Sequence, residues 1–410
     1  MDKILFKNIK GLVQAGENIP NIKKGSEMKE LPIIKDAYLF IENGIVTEYG
    51  EMNQLNQNKA KTATNIIDSS GRFVLPCFCD SHTHSVFAKT REAEFVDRIN
   101  GLTYEEIALK GGGILNSAKA MSEIDENTLF ENSLKRVKEI IKMGTGALEI
   151  KSGYGLSIES EIKMLRVIKR IKEHVAIPIK ATLLAAHAYP KEYKENHQGY
   201  IDVIINEIIP QVKEEKLADY IDVFCERNYF SVKEMEQVLI AGKEAGLIPK
   251  VHVNQFSILG GVSKAIELNA LSVDHLEEID DDDILALQNS NCIATMLPGC
   301  SHFLSIPYGK ARQVISSNLP LALASDFNPG STPCFNLSTI WSLACLKMKL
   351  TPYEAFNALT VNGAYAMGLE GTHGKISIGS SPGVILSKPL DNINQIPYLY
   401  GENFIDRVIV

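Results

Sequence analysis

The 410-residue sequence predicts an α/β protein: a (β/α)8 TIM-like barrel with a small β-sandwich domain built from both chain ends. Two observations predict it. From Gly71 onward, eight apolar strand candidates alternate with helical stretches, the rhythm of parallel strands joined by crossover helices. The first 70 residues and the stretch after about residue 370 hold only short β-type pieces broken by turn residues. The expected boundaries are 1–70 and 368–410 for the two parts of the small domain and 71–367 for the barrel.

Taken in order, the N-terminal part offers A-Y-L-F-I-E-N-G-I-V-T-E-Y-G and N-I-I-D-S-S-G. Asn43-Gly44 between two β-type runs is a strong hairpin signal. The barrel candidates are R-F-V-L-P-C-F-C-D, T-G-A-L-E-I-K-S-G, P-I-K-A-T-L-L-A-A-H, Y-I-D-V-F-C-E, P-K-V-H-V-N-Q, L-S-V-D-H, N-C-I-A-T-M-L-P-G and L-P-L-A-L-A-S-D-F. Most are continuous apolar runs, as strands covered on both faces should be. Between them, Ser231 and Glu234 form a capping box, and Pro352 after Thr351 opens another helix. The acidic run Glu277–Asp283 reads as a solvated helix start. G-K-I-S-I-G-S-S-P-G-V-I-L and D-R-V-I-V return to the small domain. The rival architecture, an open doubly wound sheet, lacks a Gly-rich phosphate fingerprint after its first strand.

Composition limits the function classes. Apolar residues make up 45% and charged residues 22%, with a net charge of −8; these are ordinary globular values. The basic residues are scattered, so no nucleic-acid footprint is expected. No run approaches the roughly 20 apolar residues of a membrane span, and no signal peptide is legible. Seven cysteines without framework spacing point to a reducing, cytoplasmic setting.

In such barrels chemistry gathers at the C-terminal strand ends. Residues 80–84 read D-S-H-T-H, and His82 and His84, two apart on extended chain, face one side. The third strand ends in His187, the fifth carries His252, the sixth ends in His275 and the eighth in Asp326. Any one of these alone is most often a structural histidine. Five of the nine histidines on one rim, with a carboxylate, point instead to a metal centre. A hydrolytic ion lowers the pKa of water from 15.7 to about 7.

These residues resemble the amidohydrolase superfamily, and D-S-H-T-H-S-V-F-A-K-T-R-E, Y-E-E-I-A-L-K-G-G-G-I, E-I-K-S-G-Y-G-L, A-A-H-A-Y-P, G-G-V-S-K-A-I-E-L-N-A-L-S-V-D-H-L and A-L-A-S-D-F-N-P-G-S narrow the resemblance to its histidine-degrading branch. H-x-H by itself is weak; K-S-G-Y-G-L with S-D-F-N-P-G-S is specific. The resemblance implies hydrolysis of the cyclic amide C–N bond of 4-imidazolone-5-propanoate, giving N-formimidoyl-L-glutamate. It implies one ion, Zn2+ or Fe3+, on His82, His84, His252 and Asp326. It implies Arg91, Tyr154, His187, Gln255, Asn328, Gly330 and Ser331 at the substrate, with His187 at the ring carbonyl, and His275, Asp326 and His187 as catalytic groups. A guanidinium forks onto a carboxylate, which agrees with Arg91; an ion pair with Glu92 or Glu94 is the plainer reading. Tyr104 is a further contact, or helix packing. Gln255, an amide, cannot act as the base, which leaves His275 or Asp326 to move protons. Asn254 stands where the family is usually acidic, and Cys77 where it often has Gly. Lys151 is taken as structural rather than carbamylated. The segment 111–113 is a hinge or a tight loop. The expected partner is a small-molecule substrate, with no nucleic acid or membrane, in a homodimer by analogy with similar barrels. Two alternatives stand beside this reading: a nucleobase aminohydrolase of the same superfamily, and a non-catalytic barrel that binds a metal or ligand.

Overall fold

The structure, a computed structural model, describes residues 2–102, 106–107 and 110–410. Eight parallel strands follow one another round a barrel: β6 (Phe78–Asp80), β7 (Thr145–Lys151), β8 (Ile179–Ala186), β9 (Tyr220–Cys225), β10 (Ile248–Val253), β11 (Ser272–His275), β12 (Ile293–Met296) and β13 (Leu321–Leu323). The ring closes just beyond β6 and β13. Thr83 bridges Phe327, His84 N–H donates to the Phe327 carbonyl (2.8 Å), and Asp326 N–H donates to the His82 carbonyl (3.0 Å). The buried Asp80 carboxylate reinforces the seam by accepting from Ser325 N–H (2.9 Å) and Ser325 Oγ (2.6 Å). His82, His84 and Asp326 therefore meet where the barrel shuts.

The other strands are β1 (Lys3–Val13), β2 (Ile33–Glu42), β3 (Ile45–Glu51), β4 (Asn65–Asp68), β5 (Phe73–Pro76), β14 (Val384–Ser387) and β15 (Ile405–Ile409). They form one seven-stranded sheet from both chain ends, ordered β15-β14-β5-β1-β2-β3, with β4 also on β1. A bulge between Phe6 and Ile9 bends β1, so its first half pairs with β4 and its second with β5. The β2–β3 hairpin turns on Asn43 (φ 50°) and Gly44 (φ 78°), the paired positive φ of a type I′ turn.

Two sequence expectations need correction. The run from Arg72 to Asp80 is not one strand. Phe73–Pro76 belongs to the small sheet and Phe78–Asp80 to the barrel. Pro76 has no N–H to continue a ladder, and the chain switches partners at once: Cys77 N–H goes to Gly383 and Phe78 N–H to Gly144. The acidic run is also not solvated throughout. Asp280 caps the helix Asp281–Gln288, but Glu277 and Asp283 are buried.

The barrel interior is charged rather than aliphatic. Glu149, Lys151, Asp222, Lys250 and Asp274 are all fully buried on its strands. Lys151 Nζ donates to Glu149 (2.6 Å) and Asp222 (2.8 Å), while Lys250 Nζ donates to Glu149 and to the Ser81 carbonyl (3.0 Å). Burying such charges is tolerable because each is paired and hydrogen-bonded. Among the described residues no helix is long and apolar enough to cross a membrane.

Candidate active site

The charged barrel core orients the histidines above it. Asp274 Oδ2 accepts from His82 Nδ1 (2.7 Å), and Asp222 Oδ2 accepts from His252 Nδ1 (2.9 Å). A carboxylate only accepts, so each Nδ1 carries the proton and each Nε2 keeps its lone pair. Those nitrogens converge. His252 Nε2 lies 3.4 Å from His84 Nε2, and Asp326 Oδ1 lies 3.6 Å from Nε2 of both His82 and His84. His82 Nε2 is buried without a hydrogen-bond partner among the described residues.

A cluster of buried acceptors facing one another calls for a cation. The donor set of three imidazoles and a carboxylate suits Zn2+ or iron. A tetrahedral ion with bonds of about 2.0–2.1 Å separates its ligand atoms by about 3.3–3.4 Å, close to the observed spacing. Burial, then the charge of Lys151 and the other imidazoles, holds His82 and His252 well below the ordinary histidine pKa; burial, then His187 and His252, does the same for His84. The three are neutral bases at pH 7, the form that binds metal. Burial pushes Asp326 up to about 6, against the pull of His275. His82, His84 and Asp326 form one group able to hold an ion, and His82, His252 and His275 another.

His275 differs from these three. Burial alone would lower its pKa, but Glu277, then Asp326 and Asp274, outweigh it and raise it to about 8. Its Nδ1 lies 3.3–3.4 Å from the Glu277 carboxylate, leaving Nε2 as the remaining ring nitrogen. Backbone at His275 (φ 89°), Leu276 (φ 57°) and Asp326 (φ 52°) is left-handed, a conformation that concentrates at functional sites.

A small cavity opens over the cluster. Arg91, Tyr154, His187, Gln255, Asn328 and Ser331 line it with His84, His252, His275 and Asp326. Gly330 lies in the loop between Asn328 and Ser331 and is not among the lining residues. Tyr104 lies outside the described residues. Arg91 is buried, and its Nε and Nη1 have no hydrogen-bond partner among the described residues; Glu94 lies 3.6 Å from Nε. Asn328 spends its amide on its own loop, its Oδ1 accepting from Gly330 N–H (2.8 Å) and Ser331 N–H (2.7 Å). Tyr154 rides a loop built round buried Glu161, which accepts from the N–H groups of Gly153, Gly155 and Leu156 (2.6–3.1 Å). Gln255 Nε2 contacts Cys300 Sγ at 3.3 Å, and Asn254 Nδ2 donates to Asp283 (2.8 Å). Gly111 and Gly113 take positive φ, and Gly113 N–H donates to Glu94 (3.1 Å), so this end of the 111–113 segment is a pinned turn.

His187 Nδ1 lies 2.9 Å from the Gly153 carbonyl, so that nitrogen holds the proton. The neutral ring then offers only an acceptor at Nε2. A contact to the substrate ring carbonyl would need a second proton, and burial pushes the pKa down to about 4. The residues that sequence reading passed over are Asp222, Asp274, Glu149, Lys250, Glu161 and Glu277. The signal for the strand members was an ionisable residue inside an otherwise apolar run.

The barrel carries the histidine–aspartate cluster at its rim, and both chain ends supply the second sheet. Solved structures agree in fold. E. coli guanine deaminase superposes with a TM-score of 0.74 at 14% identity, covering 100% of this chain and 98% of that one. A triazine hydrolase variant reaches 0.75 at 13% identity, covering 100% and 93%. A zinc-bound adenosine deaminase from Xanthomonas campestris reaches 0.69 at 12% identity, covering 100% and 92%. No protein-family model matches the chain. Among curated proteins, imidazolonepropionase of Flavobacterium johnsoniae is 54% identical over 406 residues, covering 99% of this chain and 98% of the relative. That of Christiangramia forsetii is 53% identical over 409 residues, covering 99% and 98%. That of Alkaliphilus metalliredigens is 36% identical over 411 residues, covering 100% and 97%. The chain belongs to the imidazolonepropionase family.

Proposed function

We propose that the protein hydrolyses 4-imidazolone-5-propanoate to N-formimidoyl-L-glutamate, in a metal-dependent step of histidine degradation. The observation that carries the reading is Arg91. A buried guanidinium, two of whose nitrogens have no hydrogen-bond partner among the described residues, lines the same small cavity as the histidine–aspartate cluster. It suits a compact ring bearing a carboxylate, and a nucleobase has no carboxylate to offer.

His82, His84, His252 and Asp326 would hold the ion, Zn2+ or Fe3+, which supplies Lewis-acid polarisation and hydroxide at neutral pH. The chain's own groups supply the rest. Arg91 holds the acid tail and Tyr154 closes one side of the cavity, so the ring is oriented before reaction. His187, as an acceptor, receives a ring N–H. His275, braced by Glu277, takes a proton in its neutral form as water adds to the ring carbonyl carbon. That carbon becomes a carboxylate as the ring C–N bond breaks, and the departing nitrogen takes the proton back from His275 or from Asp326.

The test is turnover of freshly prepared imidazolonepropionate, followed by loss of its ultraviolet absorbance, with a no-enzyme control and with and without a chelator. Chelator-sensitive turnover is expected. Ammonia release from purines or pyrimidines, with no activity on the imidazolone, would move the assignment to an aminohydrolase. A folded, metal-loaded protein without turnover of either would leave only a binding role.

A further inference from the structure

Lys151 ends the second barrel strand with its side chain fully buried, and Asp222 and Asp274 lie on the fourth and sixth strands. Side chains from alternate strands share a layer inside such a barrel, so one lysine can reach both carboxylates. Lys151 Nζ donates to Asp222 Oδ2 at 2.8 Å and lies 3.6 Å from Asp274 Oδ2. Those are the same two oxygens that accept from His252 Nδ1 (2.9 Å) and His82 Nδ1 (2.7 Å). One unbroken chain of contacts therefore runs from His82 through Asp274, Lys151 and Asp222 to His252.

The lysine and both carboxylates are also held from outside this chain of contacts. Glu149 Oε1 accepts from Lys151 Nζ (2.6 Å) and from Thr182 Oγ1 (2.6 Å). Asp222 Oδ1 accepts from the His252 N–H (3.0 Å), and Asp274 Oδ1 from Ser272 Oγ (2.6 Å). An ammonium fans three N–H groups from one point, so a single side chain can face three carboxylates. His84 lacks this support. Its Nδ1 is buried without a hydrogen-bond partner among the described residues, and its ring stacks on His187 at 5.3 Å.

We infer that Lys151 is a positioning residue for the metal centre: by gripping the two carboxylates that hold His82 and His252, one ammonium sets the spacing and aim of two ligands together. This rests on the reading, given above, that His82, His84, His252 and Asp326 hold the ion. The effect of Lys151 passes through Asp222 and Asp274, and His84 is not part of it.

The experiment measures the Zn2+ affinity of the metal-free protein, by competition with a chromogenic chelator, together with its melting temperature. It compares wild type, Lys151→Met, Asp222→Asn/Asp274→Asn and the triple variant. Lys151→Met lowers the affinity about 10- to 100-fold, the usual effect of losing an outer partner of a metal-binding histidine. With both aspartates already replaced, Lys151→Met lowers it no further, because its route to the ligands is gone. Cobalt-loaded Lys151→Met shows visible bands shifted from those of cobalt-loaded wild type, a change of ligand geometry that a lysine serving stability alone would not produce. Should Lys151→Met not fold, Glu149→Gln is compared with Glu149→Gln/Lys151→Met, which removes one charge of each sign, and the same loss of about 10- to 100-fold is expected. An affinity within about twofold of the parent protein, or an equal loss with and without the two aspartates, would overturn the inference. A wild type that binds no Zn2+ would remove the metal reading and this inference with it. A wild type that binds Zn2+ no more tightly than Lys151→Met removes this inference alone.

Discussion

His82 offers Nε2 because Asp274 claims its Nδ1 at 2.7 Å. His252 does the same because Asp222 claims its Nδ1 at 2.9 Å. Loss of such a partner usually costs 10- to 100-fold in metal affinity, roughly the range expected of Asp274→Asn. Competition against a chromogenic chelator measures it, and unchanged affinity would show that Asp274 serves only the lysine network. His275→Ala should lose most of kcat while keeping the metal, because His275 lies beside the four proposed ligands and is bound to Glu277; metal content with steady-state kinetics separates the two effects. Arg91→Ala should raise KM sharply, and a KM like that of wild type would remove Arg91 from the substrate. At this scale the sequence was informative where chemistry is carried by rare residues such as histidine. It was silent on Glu277, which sits in an acidic run that looks like solvated surface. Only the turn after β11 buries it against His275.

Helix and loop ends show what local pattern can specify. The capping boxes expected at Ser231 and Thr351 are present, with Ser231 Oγ accepting from Glu234 N–H (3.3 Å) and Thr351 Oγ1 from Glu354 N–H (3.4 Å). Thr351→Ala should destabilise the fold by about 1 kcal/mol through the lost cap. Urea unfolding reads this directly, and no change in midpoint would show that the Arg312–Glu354 ion pair (2.6 Å) holds the helix start unaided. Caps and type I′ turns are legible because residues within four positions satisfy them. The division of residues 72–80 between two sheets was not. An apolar β run reads the same whichever sheet takes it, and the partners that split it, Gly144 and Gly383, are far away in sequence. The Tyr154 loop is similar: Glu161 organises it from within the next helix.

Across the whole molecule, burial has left one histidine far from the cavity resisting protonation. His373 stands where the chain leaves the barrel for the small sheet. It is buried, with Nδ1 2.8 Å from Thr372 Oγ1, and burial lowers its pKa from 6.5 to about 4. Between these values the unfolded chain binds a proton that the folded chain refuses, so stability falls as pH drops from about 6.5 to 4 and is unaffected above. The contribution is on the order of 3 kcal/mol. Thermal melts of wild type and His373→Gln across pH 4–7 should show the difference narrowing toward low pH. A pH-independent difference would place the His373 proton elsewhere.

By itself the sequence determined the barrel, the terminal sheet, the rim histidines and the hydrolase family, because strand periodicity, caps and short motifs are local and each carries its own physical constraint. Tertiary structure alone decided which atoms face which. It chose the Nε2 nitrogens as the inward donors through carboxylates on neighbouring strands. It made His187 an acceptor through the Gly153 carbonyl, and it brought Arg91 into one cavity with Asp326 across 235 positions of chain. Such contacts join residues remote in sequence, and no periodicity within one strand or helix encodes them.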